Sequence, residues 1–464
     1  MITEEFYSHL PELTRFVSLT NVSGILVSVS RYLLIILMLL YTIQCFTVFA
    51  QTRSSSRRNI FVRQNVSMFM IHFIAFLILF LEQVNLQIVI FYAAQALFLL
   101  ISLILWRSLY PRASRLLINN MFMLITIGLI MLTRLSFEAA QKQFLILVAG
   151  MAAGLVIPVI VRRMMVLTRM AWAYAFVGIG LLGLVFVAAR VTNGARLSLS
   201  IMGIAFQPSE FVKIIFVFAV AGLLTQADSM KRIMIATALA AVHVLILVIS
   251  RDLGSALIFF ITYLAMLFAA TKNPYLVLMG FGAGSLASVA AYYLFYHVRV
   301  RVQIWRDPFA DYSGTGYQIS QSLFAIAAGG WLGTGLGKGS PGSIPFVQQD
   351  MMFSAITEEL GGIFGICLIL VCLSCFIMFI NVAMQLDSPF YRLVALGLGT
   401  TYAVQVFLTV GGGLKLIPLT GVTLPLVSYG GSSALSTIAM IAIVQGLYML
   451  RIDEEKEFAN EIGS

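Results

Sequence analysis

The stretch IFGICLILVCLSCFIMFI, residues 363–380, runs for eighteen residues without a charge, inside a longer, largely apolar run over 352–384. A helix needs roughly 20 apolar residues to cross the hydrocarbon core of a bilayer. The whole chain of 464 residues is 60% hydrophobic and 10% charged, with a mean hydropathy of +0.98, whereas a soluble domain is roughly half apolar and about a quarter charged. These features predict an all-α polytopic membrane protein. They exclude an outer-membrane barrel, whose strands would alternate in polarity.

The same hydropathy pattern recurs along the chain and predicts thirteen membrane spans. They are expected at 32–50, 66–83, 87–106, 118–134, 144–161, 171–189, 208–225, 233–249, 253–270, 275–297, 352–384, 391–411 and 432–450. The 352–384 run exceeds the length of one crossing, so we expect it to tilt or to start outside the hydrocarbon.

Arginines are concentrated in three short breaks between spans, 51–65, 106–115 and 161–169. The positive-inside rule predicts that these breaks are cytoplasmic. With thirteen spans, the N-terminus is then expected outside, the C-terminal tail inside, and the polar 298–350 segment outside. Four basic residues of that segment oppose the rule and need another explanation: Arg299, Arg301, Arg306 and Lys338.

The net charge of +10 does not collect in one patch, so nucleic-acid binding is not predicted. The four cysteines lie in apolar runs, and Cys372 and Cys375 form a CxxC motif. A spacing of three residues inside a lipid-buried helix favours packing as small apolar side chains over redox chemistry or metal binding. Residues 1–23 carry three glutamates instead of a basic start, so no secretory signal is expected.

Unusual polar, glycine and proline residues are concentrated in three stretches, 190–210, 298–350 and 412–431. The predicted topology places all three on the same, outer side. The sequence GTGLGKGS within 298–350 resembles a phosphate loop, but Leu332 replaces the first glycine of that motif and Gly339 replaces its hydroxyl residue. We therefore reject a nucleotide site and expect one outward-facing polar cavity.

Several side chains in these stretches are candidates for chemistry. Asp307 precedes a proline, which is typical of a turn, whereas Asp311 precedes a flexible YSGTG stretch and is the candidate catalytic acid or base. Arg196 and Lys213 flank a helix start and are candidates for binding a phosphate, although Lys213 could instead snorkel to the surface.

Carboxylates and an irregular backbone complete the predicted cavity. Asp350 and Glu358 are eight residues apart, so a continuous helix would present both on roughly one face. The stretch over 411–435, with two prolines and many glycines, is tolerated at membrane depth only inside protein or along a wet cavity. Its small polar residues before a helix N-terminus could hold an anion. Together these features indicate an enzyme or carrier for an anionic, lipid-linked substrate.

Five ordered motifs resemble the SEDS family (shape, elongation, division and sporulation), which includes RodA, FtsW and SpoVE. They are NGAR…QPSEFVK, DLGSAL, DPFADYSGTGYQISQSLFAIAAGGWLGTGLG, DMMFSAITEELG and IPLTGVTLPLVSYGGSS. The resemblance implies a ten-helix core over 118–450 that contains the large extracellular loop 298–350. Residues 1–117 would then form an extension with about three further spans and an Arg-rich cytoplasmic loop, and 451–464 a cytoplasmic tail. Leu197, Ser198 and the sequence SRDLG depart from the usual family pattern.

The resemblance further implies a peptidoglycan glycosyltransferase that polymerises lipid II at the outer face of the bacterial cytoplasmic membrane. It implies a class B penicillin-binding transpeptidase and other elongation or division proteins as partners, and a divalent cation, Mg or Mn. The family's essential aspartate corresponds to Asp311, which is also a candidate cation ligand. The substrate-binding candidates are Arg196, Lys213, Gln318, Asp350, Glu358 and Ser432.

The implied reaction inverts the anomeric centre, because lipid II carries an α-linked sugar diphosphate and the polymer is β-1,4-linked. One base is then sufficient, and cations stabilise the diphosphate that leaves. Two alternatives stay open at this point: a flippase or other transporter of lipid II, and a non-catalytic division scaffold. The sequence does not distinguish a role in elongation from one in division or sporulation.

Overall fold

Helices form nearly all of the regular structure in this computed structural model, which describes residues 10–51, 53–163, 168–188, 199–201 and 204–463. In chain order they are α1 Leu10–Ala50, α2 Ser54–Gln83, α3 Leu86–Leu109, α4 Arg115–Leu135, α5 Phe137–Gly154, α6 Ile157–Arg163, α7 Ala171–Ala188, α8 Ser209–Thr225, α9 Met230–Ile249, α10 Leu253–Thr271, α11 Pro274–Leu294, α12 Tyr296–Arg306, α13 Tyr317–Gly329, α14 Met352–Leu360, α15 Gly362–Gln385, α16 Pro389–Gly413 and α17 Gly431–Gly463. A two-stranded antiparallel hairpin, β1 Leu199–Ile201 and β2 Ile204–Phe206, pairs Ser200 with Ala205.

The all-α multi-pass architecture is confirmed: in the described ranges, twelve helical stretches are long and apolar enough to cross a membrane. The predicted span at 208–225 corresponds to α8, which has 17 residues and lies almost wholly buried among other helices. α4 is buried on all sides, whereas α11 has no buried residue and faces outward. The centre of the bundle is therefore α4, α8, α16 and α17, surrounded by more exposed helices.

The predicted span over 352–384 is two helices, because the chain breaks at Gly361 between α14 and α15. Only α15 of the two is long and apolar enough to cross a membrane, which agrees with the expectation that the run starts outside the hydrocarbon. Gly361 has a φ of +92°, and a Cβ there would lie 2.5 Å from the backbone nitrogen of Gly333. The backbone of Gly362 donates a hydrogen bond to Gly330 across this contact, at 2.8 Å. A glycine of the 298–350 segment and a glycine of the 352–384 run thus let two backbones touch, which ends α14.

The first two helices pack against α4 and α15 through a polar network inside the membrane-spanning region. Tyr41 and Cys45 of α1 both donate to the side-chain oxygen of Asn120 on α4, whose amide in turn donates to Ser374 of α15 at 3.1 Å. Gln64 of α2 joins the same network through Cys45. Interhelical polar contacts of this kind stabilise helix association in lipid. All four cysteines are free and buried, in agreement with a packing role.

The N-terminal extension also contacts the 298–350 segment. Glu82, near the end of α2, forms an ion pair of 3.1 Å with Lys338. This pair explains why one basic residue of 298–350 departs from the positive-inside pattern. The boundary at residue 117 between an N-terminal extension and a core stays a prediction, because the helices on either side of it pack against each other.

A close approach at Gly128 of α4 gives a prediction on stability. A Cβ there would lie 2.7 Å from the carbonyl oxygens of Leu426 and Val427, which belong to the irregular segment before α17. We expect Gly128→Ala to lower the free energy of unfolding by about 1–3 kcal/mol, because the segment must shift. Gly282→Ala on α11 is the matched control, since no atom lies within 4 Å of that position. Equal melting temperatures of the two variants in detergent would contradict this account.

Candidate active site

A cavity of about 970 Å³ opens at one end of the bundle. Its lining comes from the start of α8, the start of α10, the 298–350 segment and the irregular chain between α16 and α17. Residues from all three polar stretches that the sequence singled out therefore meet in one place. The 298–350 segment is not a plain loop, because α12 and α13 lie within it.

Asp252 lies in the cavity and caps the N-terminus of α10. Its Oδ1 accepts a hydrogen bond from the backbone nitrogen of Ser255, at 3.1 Å. Its Oδ2 accepts from the Ser209 hydroxyl at 3.2 Å, and burial raises the pKa of this carboxyl. Asp252 was not among the candidate site residues predicted from the sequence. The missed signal was its position in DLGSAL, one of the five motifs.

Asp350 and Gln318, two predicted binding residues, lie together in the cavity. Asp350 is 9% exposed, and its Oδ1 accepts a hydrogen bond of 3.2 Å from the Gln318 amide. Burial raises the pKa of Asp350 to about 6, although the positive charge of Arg301 acts in the opposite direction. Arg301 also lines the cavity, where it donates to the carbonyl oxygen of Leu419 at 2.9 Å. Its place in the cavity explains why a second basic residue occurs in the 298–350 segment, against the charge rule.

Asp311 lies at the rim, with its side chain exposed. Its Oδ2 accepts two hydrogen bonds from Thr315, at 2.7 Å from the backbone nitrogen and 2.8 Å from the hydroxyl. These bonds lower the pKa of Asp311, and Thr315 itself lines the cavity. The turn is tight: a Cβ at Gly316 would lie 1.9 Å from the carbonyl oxygen of Pro308, so glycine is required there.

Ser432 and Lys213 lie at different depths relative to the cavity. Ser432 lines the cavity, where its hydroxyl accepts a hydrogen bond of 2.9 Å from the backbone of Gln207. Lys213 does not line it. Its Nζ lies 2.6 Å from Glu210 and 2.7 Å from the side-chain oxygen of Gln405, and Glu210 separates it from the cavity. Lys213 is therefore neither snorkelling nor in direct contact with the cavity.

Glu358 lies away from the cavity, and the prediction that it shares a helical face with Asp350 is wrong. α14 begins at Met352, after Asp350, so no helix joins the two. Glu358 instead accepts a hydrogen bond of 2.8 Å from the backbone nitrogen of Ser340. Arg196 falls outside the described residues.

The cavity does not form a closed cation site by itself. Within the part of the chain that the structure describes, no three His, Cys, Asp or Glu residues lie close enough to hold a metal ion together. Single carboxylates are available, at Asp311 on the rim and at Asp252 and Asp350 inside. Mg²⁺ is commonly held by one or two carboxylates together with substrate phosphates, so this donor set fits a cation shared with a phosphorylated substrate.

Comparison with known proteins agrees with this architecture. The sequence profile of the cell cycle protein family FtsW/RodA/SpoVE matches residues 114–452. The peptidoglycan glycosyltransferase RodA of Mycobacterium tuberculosis is 35% identical over 372 residues, which cover 73% of this chain and 78% of that protein. The probable peptidoglycan glycosyltransferase FtsW of Nitrosococcus halophilus is 32% identical over 298 residues, covering 61% and 74%.

A solved chain of a peptidoglycan synthase complex, in which polymerisation and crosslinking are structurally coordinated, superposes with a TM-score of 0.63. It is 25% identical, and the match covers 73% of this chain and 98% of that one. The family profile spans well over half of the present chain. The chain belongs to the FtsW/RodA/SpoVE family of multi-pass membrane proteins.

Proposed function

We propose that the protein is a peptidoglycan glycosyltransferase that polymerises glycan strands from lipid II. Relatives that are 35% and 32% identical over the aligned residues carry the name peptidoglycan glycosyltransferase. The observation that carries the proposal is the cavity itself, in which buried carboxylates, arginine and an irregular backbone meet beneath an exposed aspartate. A lipid-linked sugar diphosphate needs a polar chamber of this kind beside a lipid-facing surface.

Asp311 is the base in this proposal. The pKa lowered by Thr315 keeps its carboxylate ionised at neutral pH. The carboxylate takes the proton from the acceptor sugar's 4-hydroxyl as that oxygen attacks the anomeric carbon of the donor. The bond from that carbon to the diphosphate breaks, and the sugar is inverted. Such a base typically contributes about 10²–10⁴-fold to the rate.

Positive groups stabilise the diphosphate as it leaves. Arg301 and Lys415 line the cavity and are the candidates for this role. Fixed charges aimed at developing negative charge are among the largest contributions to catalysis. The sequence suggested that Lys213 contacts the substrate's phosphate directly. It instead lies beneath the cavity lining, where it holds Glu210 in place.

We further propose that a divalent cation, Mg²⁺ or Mn²⁺, is held at the rim by Asp311 together with the substrate's phosphates. When bound, such an ion neutralises charge on the diphosphate. Asp311 then has two roles, as a cation ligand and as the base, since a carboxylate can both contact a cation and accept a proton.

We also propose the sidedness and the partners. By the positive-inside rule, the basic breaks support a cavity on the outer face, an N-terminus outside and a C-terminus in the cytoplasm. A solved relative belongs to a peptidoglycan synthase complex, which supports association with other cell-wall proteins, among them a class B transpeptidase. The process served is elongation, division or sporulation.

The raised pKa of Asp350 predicts a pH effect on substrate binding. Between pH 7 and pH 5 this carboxyl gains a proton, so the negative charge that partly offsets Arg301 disappears. We expect the KM for lipid II to fall by about two- to fivefold over that interval, because the cavity becomes more positive. Asp350→Asn is expected to show the low KM at both pH values. A wild-type KM that is unchanged, or that rises toward pH 5, would contradict the argument.

The direct test of the proposed function is polymerisation of purified lipid II by the purified protein, with and without Mg²⁺ or Mn²⁺ and with and without its transpeptidase. We expect polymer that depends on the cation and increases with the partner. Transfer of lipid II across vesicle membranes without polymer would favour the flippase alternative. Neither activity, with cell division still supported by the Asp311→Asn variant, would favour a scaffold.

A further inference from the structure

A second cavity, of about 750 Å³, lies where the N-terminal extension meets the remaining helices. It is bordered by the ends of α1 and α15, the start of α2, the turn between α3 and α4, and the part of α17 around Tyr448 and Arg451. Five arginines line it: Arg57, Arg58, Arg112, Arg115 and Arg451. Its described lining residues include no aspartate or glutamate. We refer to it as the arginine cavity.

Three of these arginines have no acidic or hydrogen-bonding partner among the residues that the structure describes. Arg112 forms an ion pair of 2.7 Å with Asp453, which also pairs with Arg162. Arg57, Arg58 and Arg115 make no ion pair and no side-chain hydrogen bond in the described part of the chain. Arg112 is paired, whereas the like charges of these three arginines converge with no acidic partner among the described residues, so the site favours an anion. Arginine in particular suits phosphate, which it binds through two parallel hydrogen bonds.

The arginine cavity lies about one membrane thickness from the proposed active site. Ser432 lines the active-site cavity and Arg451 lines the arginine cavity, both on α17 and nineteen residues apart. A rise of 1.5 Å per residue separates them by about 29 Å, close to the roughly 30 Å of the hydrocarbon core. The arginines are therefore at the level of lipid headgroups on the opposite face of the bilayer.

An apolar groove of about 440 Å³, which shares no lining residue with the arginine cavity, begins further along α2. It is lined along α2 by Val62, Asn65, Val66, Phe69, Met70 and Phe73. Arg58 precedes Val62 by one helical turn, so both lie on one stripe of α2. From Val62 to Phe73 the groove spans about 16 Å, which matches the half-thickness that one acyl chain occupies. Arg107 of α3 lines the same groove, within electrostatic range of Arg115.

We propose that the arginine cavity and this groove bind one anionic phospholipid, with its phosphate among Arg57, Arg58 and Arg115 and one acyl chain along α2. The shared chemistry, a phosphate group, could also come from a soluble anion, but the adjoining groove selects a lipid. Because the site joins α2 of the extension to α4 and α17, the lipid stabilises that junction. The site is remote from the sugar chemistry and does not depend on it.

The test measures binding of dioleoylphosphatidylglycerol to the purified full-length protein in detergent, with dioleoylphosphatidylcholine as the zwitterionic comparison. We expect the anionic lipid to bind more tightly and to raise the melting temperature. The triple variant Arg57→Gln, Arg58→Gln, Arg115→Gln should bind it at least about tenfold more weakly, since each basic residue near the surface contributes about 1 kcal/mol. Arg115→Gln alone should weaken binding about fivefold, which guards against misfolding of the triple variant.

The matched control removes three charges from the same end of the bundle but outside the cavity: Lys231→Gln, Arg232→Gln and Lys272→Gln. Its affinity for the anionic lipid should be unchanged. Val66→Trp fills the groove while the arginines remain, and it should weaken binding of the long-chain lipid. Equal loss in the control triple would overturn the proposal in favour of general surface charge. Displacement of the lipid by an equal concentration of glycerol 3-phosphate would overturn it in favour of a soluble-anion site.

Discussion

Asp311→Asn is expected to abolish glycan polymerisation from lipid II, with a rate at least about 10²-fold below that of the wild type. Asparagine has nearly the same shape and can still accept a hydrogen bond from Thr315, so the rim should keep its conformation. It cannot accept the proton of the attacking hydroxyl at neutral pH. The measurement is the yield of polymer from purified lipid II over time, with folding checked by the melting temperature.

Asp307→Asn is the matched control for that prediction. Asp307 is another exposed acid of the same segment, but its side chain accepts hydrogen bonds from the backbone of Phe309 and Ala310, at 3.0 and 3.3 Å, and so caps a turn. Asparagine can do the same, so we expect nearly normal activity. Thr315→Val should give an intermediate loss, because it removes the hydroxyl bond but keeps the backbone bond to Asp311. Near-normal polymerisation by Asp311→Asn would refute the assignment of the base.

Lys213→Met is expected to produce the largest loss of stability, about 3–5 kcal/mol in the free energy of unfolding. Glu210 and Lys213 are both buried, with side chains 10% and 4% exposed. Removing the lysine leaves the glutamate charge in the bundle with one side-chain hydrogen bond among the described residues, from the Ser436 hydroxyl at 2.9 Å. The measurement is the melting temperature of the purified variant in detergent.

The double variant Glu210→Gln, Lys213→Met separates the pair from general packing. It removes both charges and keeps an amide that can bond to Ser436, so we expect it to recover most of the lost stability. If the double variant were as unstable as Lys213→Met, the methylene packing of the lysine, and not the unpaired charge, would explain the loss.

The span positions were predictable because hydropathy over about twenty residues is a local property of the sequence. The break at Gly361 was not, since it depends on a contact with Gly330 and Gly333, some thirty residues earlier in the chain. For the same reason Glu358 was expected beside Asp350 and lies elsewhere. Contacts between distant segments do not alter the local hydrophobic periodicity of the sequence, so that pattern could not predict them.

The candidate site was predictable in part. The three polar stretches were expected to meet, and Gln318, Asp350 and Ser432 line one cavity. Lys213 could not be assigned from sequence, because its place beneath the cavity depends on Glu210 and on Gln405 of another helix. Arg301 was noticed only as an exception to the charge rule, whereas its location in the cavity needed the packing of α12.

Every step of the proposed reaction requires that the rim at Asp311 faces the outside of the cell. The most direct measurement is labelling of intact cells with a membrane-impermeant thiol reagent, after Ser313→Cys near the rim and, separately, Ser229→Cys at the opposite end of the bundle. Both positions are exposed, and the four native cysteines are buried. We expect Ser313→Cys to be labelled in intact cells and Ser229→Cys only after lysis. The reverse pattern would contradict the account.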